Sequence, residues 1–183
     1  LIRHETGADI RVLHIETGRH VYGGAQQVLY LLEHLSAHGV KSALLCARGA
    51  EIGERAEHLG VRVFRGPAGG DADARLLWRT MHSASAWKAD LVHVHSRRGA
   101  DSWGLLGGRL SRARVVLSRR VDNVEPRWVA GLRYHLPHHI ICVAEGIRAV
   151  LIAAGVAPAR MSVVHSAIEP SRFAHPVDRH RFC

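Results

Sequence analysis

Residues 10–39 limit the chain more than any other stretch. Ile10, Val12, Leu13 and Ile15 form a short apolar run of strand length. Gly18, Gly23 and Gly24 interrupt it. From Ala25 the apolar residues recur at helical spacing, through Val28, Leu29, Leu32 and Leu35, until Gly39 supplies a helix stop. A strand that enters a helix through a glycine-rich turn gathers free backbone N–H groups and the positive end of a helix dipole at one point, which suits a phosphate. The turn matches neither common phosphate-binding pattern. Gly18 to Gly23 has the spacing of a P-loop, but Gly24 and Ala25 stand where Lys and Ser/Thr are required, and the glycines do not spell G-x-G-x-x-G. A tight turn with no ligand is the plain alternative on pattern alone.

The same unit then recurs. The runs 40–46, 61–64, 90–96, 115–117, 140–143 and 161–164 read as strands. The stretches 51–59, 71–86, 101–110, 126–136 and 144–154 read as helices, with Asp101 placed near a helix start. Gly39-Val40, Gly60-Val61 and Gly155-Val156 each follow a helical pattern and read as recurring stops. Strands alternating with helices about seven times predict an α/β domain, with a parallel sheet and helices on both faces. In such sheets ligands sit beyond the carboxyl ends of the strands. The polar strand ends are 16–24, 95–98 and 118–122, with Glu145 just past a fourth strand. Topology predicts that they converge.

The chain has 183 residues, enough for one domain with a real core. Its 22% charged and 47% hydrophobic residues predict folding rather than disorder. No apolar run approaches the ~20 residues of a membrane span. Arg3, His4, Glu5 and Asp9 break any signal-peptide pattern. The chain begins with Leu, which implies a fragment or a non-standard start codon. Cys46, Cys142 and Cys183 form no CxxC, so buried thiols in a reducing, cytoplasmic setting are expected. Fifteen histidines are scattered, and pairs such as His93/His95 and His138/His139 lack a third partner at a usual ligand spacing, so no metal is expected. The net charge is +9. The segment from Arg97 to Arg133 carries nine arginines against three acids. It would face anionic acceptors or an anionic membrane surface, or else consist of ordinary solvated helix faces. No nucleic-acid motif accompanies the charge, and aromatics are only 5%, so no nucleic-acid partner is expected.

A series of segments carries a resemblance. In order they are Val12-Leu13-His14-Ile15, Gly23-Gly24-Ala25-Gln26-Gln27-Val28, Ala89-Asp90-Leu91-Val92-His93-Val94-His95, Ile141-Cys142-Val143-Ala144-Glu145-Gly146-Ile147, Gly155-Val156-Ala157-Pro158-Ala159-Arg160-Met161 and the stretch from Val163 to Phe173. The chain resembles the N-terminal domain of a family 4 glycosyltransferase of GT-B architecture, over residues 10–173. The resemblance implies a Rossmann-like acceptor domain, with 1–9 as a tail, 174–183 as the crossover and the C-terminal donor domain absent. It also implies transfer of a sugar from a nucleotide-sugar donor to a glycan or lipid-linked acceptor, as in cell-envelope polysaccharide or lipopolysaccharide synthesis. No cofactor is implied, because the nucleotide-sugar is a substrate. The location would be cytoplasmic, on or near the inner face of the membrane, and the domain alone would be inactive.

The resemblance also marks residues. Gly23 and Gly24 match the family's GG loop, which approaches donor phosphates and acceptor. His95 ends a V-H-x-H segment bordering the cleft. Gln26, Arg97, Ser118 and Glu145 join them as expected substrate-binding residues. Where family members often carry Thr-x-His, this chain has Ser118-Arg119-Arg120. An arginine is no base, but it can hold a phosphate or carboxylate in bidentate fashion. Arg120 and the nearby carboxylate Asp122 are therefore the candidate catalytic pair. The crossover also departs from Pro-Asn-Gly-Val-Asp, with His165 to Glu169 in its place. Two other readings remain: a basic binding module without chemistry, and half of a GT-B-type sugar-nucleotide epimerase.

Overall fold

The computed structural model describes residues 10–67, 69–95 and 100–169. The seven strands are β1 (Arg11–Glu16), β2 (Lys41–Ala47), β3 (Arg62–Gly66), β4 (Leu91–Val94), β5 (Arg114–Arg119), β6 (His139–Cys142) and β7 (Met161–Val163). The six helices are α1 (Gly23–Ala37), α2 (Glu51–His58), α3 (Arg75–Trp87), α4 (Leu105–Leu110), α5 (Arg127–His135) and α6 (Glu145–Ala153). The strands form one parallel sheet in the order β3-β2-β1-β4-β5-β6-β7. The order reverses between β1 and β4. There the two adjacent crossovers leave in opposite directions and open a crevice at the carboxyl ends.

Helices lie on both faces of the sheet, as expected, and the two faces have different compositions. Leu13 and Ile15 of β1, with Val92, Val94, Val115 and Leu117, pack under α3 to α6 through Leu76, Leu105, Ala130, Tyr134, Ile147 and Leu151. Leu44 and Cys46 of β2 pack on the other face, under α1 and α2, through Val28, Leu29, Leu32 and Ile52. Strand residues alternate between the faces. His14 is paired with Leu44 and with His93 across the sheet, so it shares the α1 face with them. Beyond β1 that face loses its helical cover and carries His93, His95, Ser118 and Ile141.

The three Gly-Val steps are helix stops. Gly39, Gly60 and Gly155 have φ of +76°, +75° and +96°. After each, the valine N–H returns to a carbonyl five residues earlier, as in Val40 to Leu35, Val61 to Ala56 and Val156 to Leu151. The expected helix over 101–110 is instead a π-helical turn, Ala100–Gly104, followed by α4. Its cause is Asp101. Rather than capping from solvent, Asp101 is buried and faces the guanidinium of Arg119 at 3.5 Å. The helix expected over 71–86 begins later, at Arg75, because Asp73 folds back onto the Gly69 N–H and the side chains of Arg75 and Arg79. Cys46 and Cys142 are buried thiols, and burial pushes the Cys46 thiol up to about 11. Cys183 and the proposed segments 1–9 and 174–183 lie outside the described residues. No helix among the described residues is long and apolar enough to cross a membrane.

Candidate active site

Two cavities meet at the carboxyl ends of β4 and β5, and His95, Ser118 and Arg120 line both. The smaller, of about 200 Å³, lies at the β1–α1 turn between Glu16, Gly18, Gly24 and Arg119-Arg120. The larger, of about 570 Å³, runs between α1 and the uncovered sheet face. Its apolar wall includes Tyr30, Leu31, Ile141 and Val143.

Strand parity explains how β5 supplies this point. Ser118 and Arg120 fall on the α1 face, whereas Arg119 between them falls on the other. Arg119 is buried against Asp101 at 3.5 Å and Glu125 at 3.4 Å, donates to Asn123 Oδ1 at 3.0 Å and lies over the Tyr134 ring. It is a structural ion pair. Arg120 lies on the other face, where the carboxylate that acts on it is Glu16 of the smaller cavity. Its buried Nε has no hydrogen-bond partner, and desolvation lowers its pKa while Glu16 opposes the shift. A half-buried cation with an unpaired donor at a cavity wall is suited to an anionic ligand.

The glycine turn lies opposite. Tyr22 precedes α1 without a side-chain cap, and no acid occupies the first turn. The leading N–H groups therefore have neither an intrahelical acceptor nor a side-chain oxygen. A Cβ built on Gly23 would meet open space, and one on Gly24 would stand 3.6 Å from Arg120 Cδ. The helix N-terminus and Arg120 thus approach from two sides. Gly18 accepts a local constraint, its N–H donating to Glu16 Oε1 at 2.8 Å.

A buried histidine group forms the floor. His14 Nδ1 and His95 Nε2 are 2.9 Å apart with nearly coplanar rings, and His93 Nε2 is 2.8 Å from Ser118 Oγ. Desolvation lowers His14 to about 3 and holds His93 and His95 well below the ordinary histidine value. One nitrogen from each ring lies within 4.8 Å of the others, so the third partner that sequence spacing lacked is His14, supplied by the neighbouring strand. The coplanar His14–His95 contact is a hydrogen bond in which one nitrogen carries the proton. It does not present two lone pairs to a common ion. The group is an ordered, neutral floor that orients Ser118.

The sequence-derived residues divide accordingly. His95, Ser118, Arg120 and Gly24 come together, and Gly23 stands at the adjacent helix start. Asp122 is exposed and lines neither cavity. Glu145 is exposed, faces Arg148 at 3.6 Å and also lines neither. Gln26 is half-buried outside both cavities, and its neighbour Gln27 lines the larger one instead. Gln27 exchanges two hydrogen bonds with the Ala167 backbone, at 2.6 and 2.7 Å. Arg97 lies outside the described residues. Sequence reasoning missed Glu16, His14 and Gln27. Glu16 was legible as the polar end of β1, whereas the other two depend on facing and pairing.

A Rossmann-like half-fold with its cleft at this switch point and a glycine turn facing a cation defines a domain of the GT-B glycosyltransferase type. The model of Glycosyltransferase Family 4 matches residues 21–172, and the chain belongs to that family. No curated protein sequence matches significantly. Among solved structures, a Rickettsia africae glycosyltransferase is similar at a TM-score of 0.77 and 12% identity, over 96% of this chain and 48% of that one. Anabaena HepE, solved with UDP and glucose, is similar at 0.71 and 11%, over 94% and 49%. A UDP-GlcNAc 2-epimerase from Neisseria meningitidis is similar at 0.64 and 11%, over 84% and 45%. The chain thus spans about half the length of these structures.

Proposed function

We propose that this domain is the acceptor-side half of a two-domain transferase that moves a hexosyl-type sugar from a nucleotide-sugar to a glycan or lipid-linked acceptor. The setting is cell-envelope polysaccharide or lipopolysaccharide assembly at the cytoplasmic face of the membrane. Arg120 carries this reading. Its half-buried guanidinium, whose Nε has no hydrogen-bond partner, faces the uncapped start of α1 across the smaller cavity, with Glu16 on the same cavity wall. Positive groups on two sides would hold the donor's phosphates as charge develops on the leaving group. The apolar wall of the larger cavity leaves room for an acceptor beside them. No protein base is assigned. Asp122, the sequence-derived partner of Arg120, lines neither cavity.

The test is sugar transfer by the full-length protein from a panel of nucleotide-sugars. Arg120→Ala lowers turnover about 10²-fold, in the range seen when one positioned charge-stabilising group is removed. Arg120→Lys recovers part of it, because the charge stays and the fork is lost. Unchanged turnover in Arg120→Ala removes Arg120 from the site. The fold's similarity to an epimerase supports a second reading, in which the same cleft isomerises the sugar of its nucleotide-sugar. Analysis of the products separates the two: an epimerised nucleotide-sugar with no transferred sugar would replace the transferase reading.

A further inference from the structure

Gly18 stands in the β1–α1 turn, yet it does not have the left-handed backbone that demands glycine. What it supplies is room. A Cβ there would stand 3.0 Å from Glu16 Oε1, and the Gly18 N–H donates to that same oxygen at 2.8 Å. Residue 18 therefore fixes where the Glu16 carboxylate lies. Glu16 ends β1, is 5% exposed and is paired with Cys46 of β2. Strand parity puts it on the same sheet face as His95, Ser118 and Arg120, and with them it lines the smaller cavity.

Burying a carboxylate is costly unless its charge and its lone pairs are used. Part of the charge is used by Arg120, whose ionised form Glu16 favours. A cavity made only for phosphates would nevertheless exclude a carboxylate, because the two anions repel. Glu16 has the chemistry for neutral donors instead. A carboxylate accepts at about four positions, so the Gly18 N–H orients it without saturating it. His95 on the same wall adds a second polar group. Its Nδ1 is buried with no hydrogen-bond partner among the described residues, and desolvation keeps the ring neutral. A carboxylate and a neutral imidazole beside a phosphate-holding cation match the hydroxyl groups of a sugar.

We infer that Glu16 is a specificity-determining residue, reading the hydroxyls of a neutral hexose in the smaller cavity while Arg120 and the start of α1 hold the phosphates. The inference rests on the nucleotide-sugar reading above and adds the class of sugar. A uronic acid would bring a second carboxylate to Glu16 and is rejected by like charge.

The experiment is calorimetric titration of the full-length protein with UDP-glucose, GDP-mannose and ADP-glucose, each beside its free nucleoside diphosphate, and with UDP-glucuronic acid. Glu16→Gln keeps the shape of the side chain and removes its charge. It is expected to weaken nucleotide-sugar binding about tenfold or more, the scale for hydrogen bonds to a charged group. Free nucleotide should bind as before or more tightly, because an anion beside Arg120 is gone. Arg120→Ala should instead weaken both ligands. Gly18→Ala displaces the carboxylate without discharging it and should cost nucleotide-sugar binding several-fold, with free nucleotide unaffected. Circular dichroism establishes that each variant is folded. If Glu16→Gln does not fold, Gly18→Ala decides, and an unchanged preference for the sugar overturns the proposal. A change of equal size and sign for nucleotide and nucleotide-sugar in Glu16→Gln also overturns it, and would leave Glu16 as the charge partner of Arg120 alone. So does tighter binding of UDP-glucuronic acid than of every neutral member. No binding by any of these ligands overturns both this proposal and the reading it rests on. Products are scored separately. A Glu16-dependent sugar preference without transfer overturns only the transferase reading, and transfer without that preference overturns only the role of Glu16.

Discussion

Arg119 and Arg120 are chemically identical neighbours whose surroundings differ completely. Removing the Arg119 guanidinium takes that cation from buried Asp101, whereas Glu125 keeps Arg133. Arg119→Met should therefore cost about 3 kcal/mol or more of stability, the scale for breaking a buried ion pair. Urea unfolding measures it, and a loss under 1 kcal/mol would show that the pair is dispensable. The histidine floor sets a pH dependence. His14, His93 and His95 stay neutral in the folded chain, while an unfolded histidine takes up a proton below about 6.5. The unfolded state thus binds more protons, so their contribution is fully present above pH 6.5 and is lost as pH falls toward the folded values, about 3 for His14. The urea midpoint should drop from pH 7.5 to pH 5, and His14→Leu should shallow that drop by about a third, one titrating ring of three. An unchanged slope would place the dependence elsewhere. Strand-end residues such as Ser118 and His95 were legible in the sequence, because a strand's polar end points at the crevice. Gln27 was not, since one residue along a helix turns the side chain by about 100°. The His14–His93 pairing depends on which strands become neighbours, and nothing in the local sequence encodes that.

Among the elements, α3 and α4 approach most closely at Gly107. A Cβ there would stand 2.6 Å from the Leu77 carbonyl oxygen and 2.8 Å from Thr80 Cβ. The first neighbour is helix backbone and cannot step aside, so Gly107→Ala should destabilise by about 1–3 kcal/mol. Gly131 in α5 has nothing within 4 Å of the equivalent position. Gly131→Ala should raise stability by up to about 1 kcal/mol through helix propensity alone. Thermal unfolding of the two variants should move in opposite directions, and a shared direction would contradict the packing described. The stops at Gly39, Gly60 and Gly155 were legible because a left-handed residue ending a helix has a local chemical signature. The break of the helix at Ala100–Gly104 was not. It follows from the burial of Asp101 against a strand residue that lies 18 positions later in the chain.

At the scale of the whole molecule, alternation of strands and helices together with the sequence order of the strand ends was sufficient to anticipate a parallel sheet with its cleft at the carboxyl edge. The chirality of βαβ units leaves few other arrangements. Which face would lack helices was not legible, because covering depends on where each crossover lands. Since the chain spans about half of the similar structures, the 183-residue chain alone should release no sugar product from a nucleotide-sugar while the full-length protein does. Turnover by the short chain at rates near those of the full-length protein would show that the cleft described is complete in itself.

The parity of β5 has a consequence for how such a gene can change. Substitutions along the strand alter one side chain at a time. Loss or gain of a single codon between Val115 and Arg119 exchanges the two faces of everything after it. Arg119 would then project into the cleft and Arg120 into the core, beside Asp101. In this chain, substitutions along the strand therefore act locally, whereas a single-codon insertion or deletion there would reassign both arginines at once.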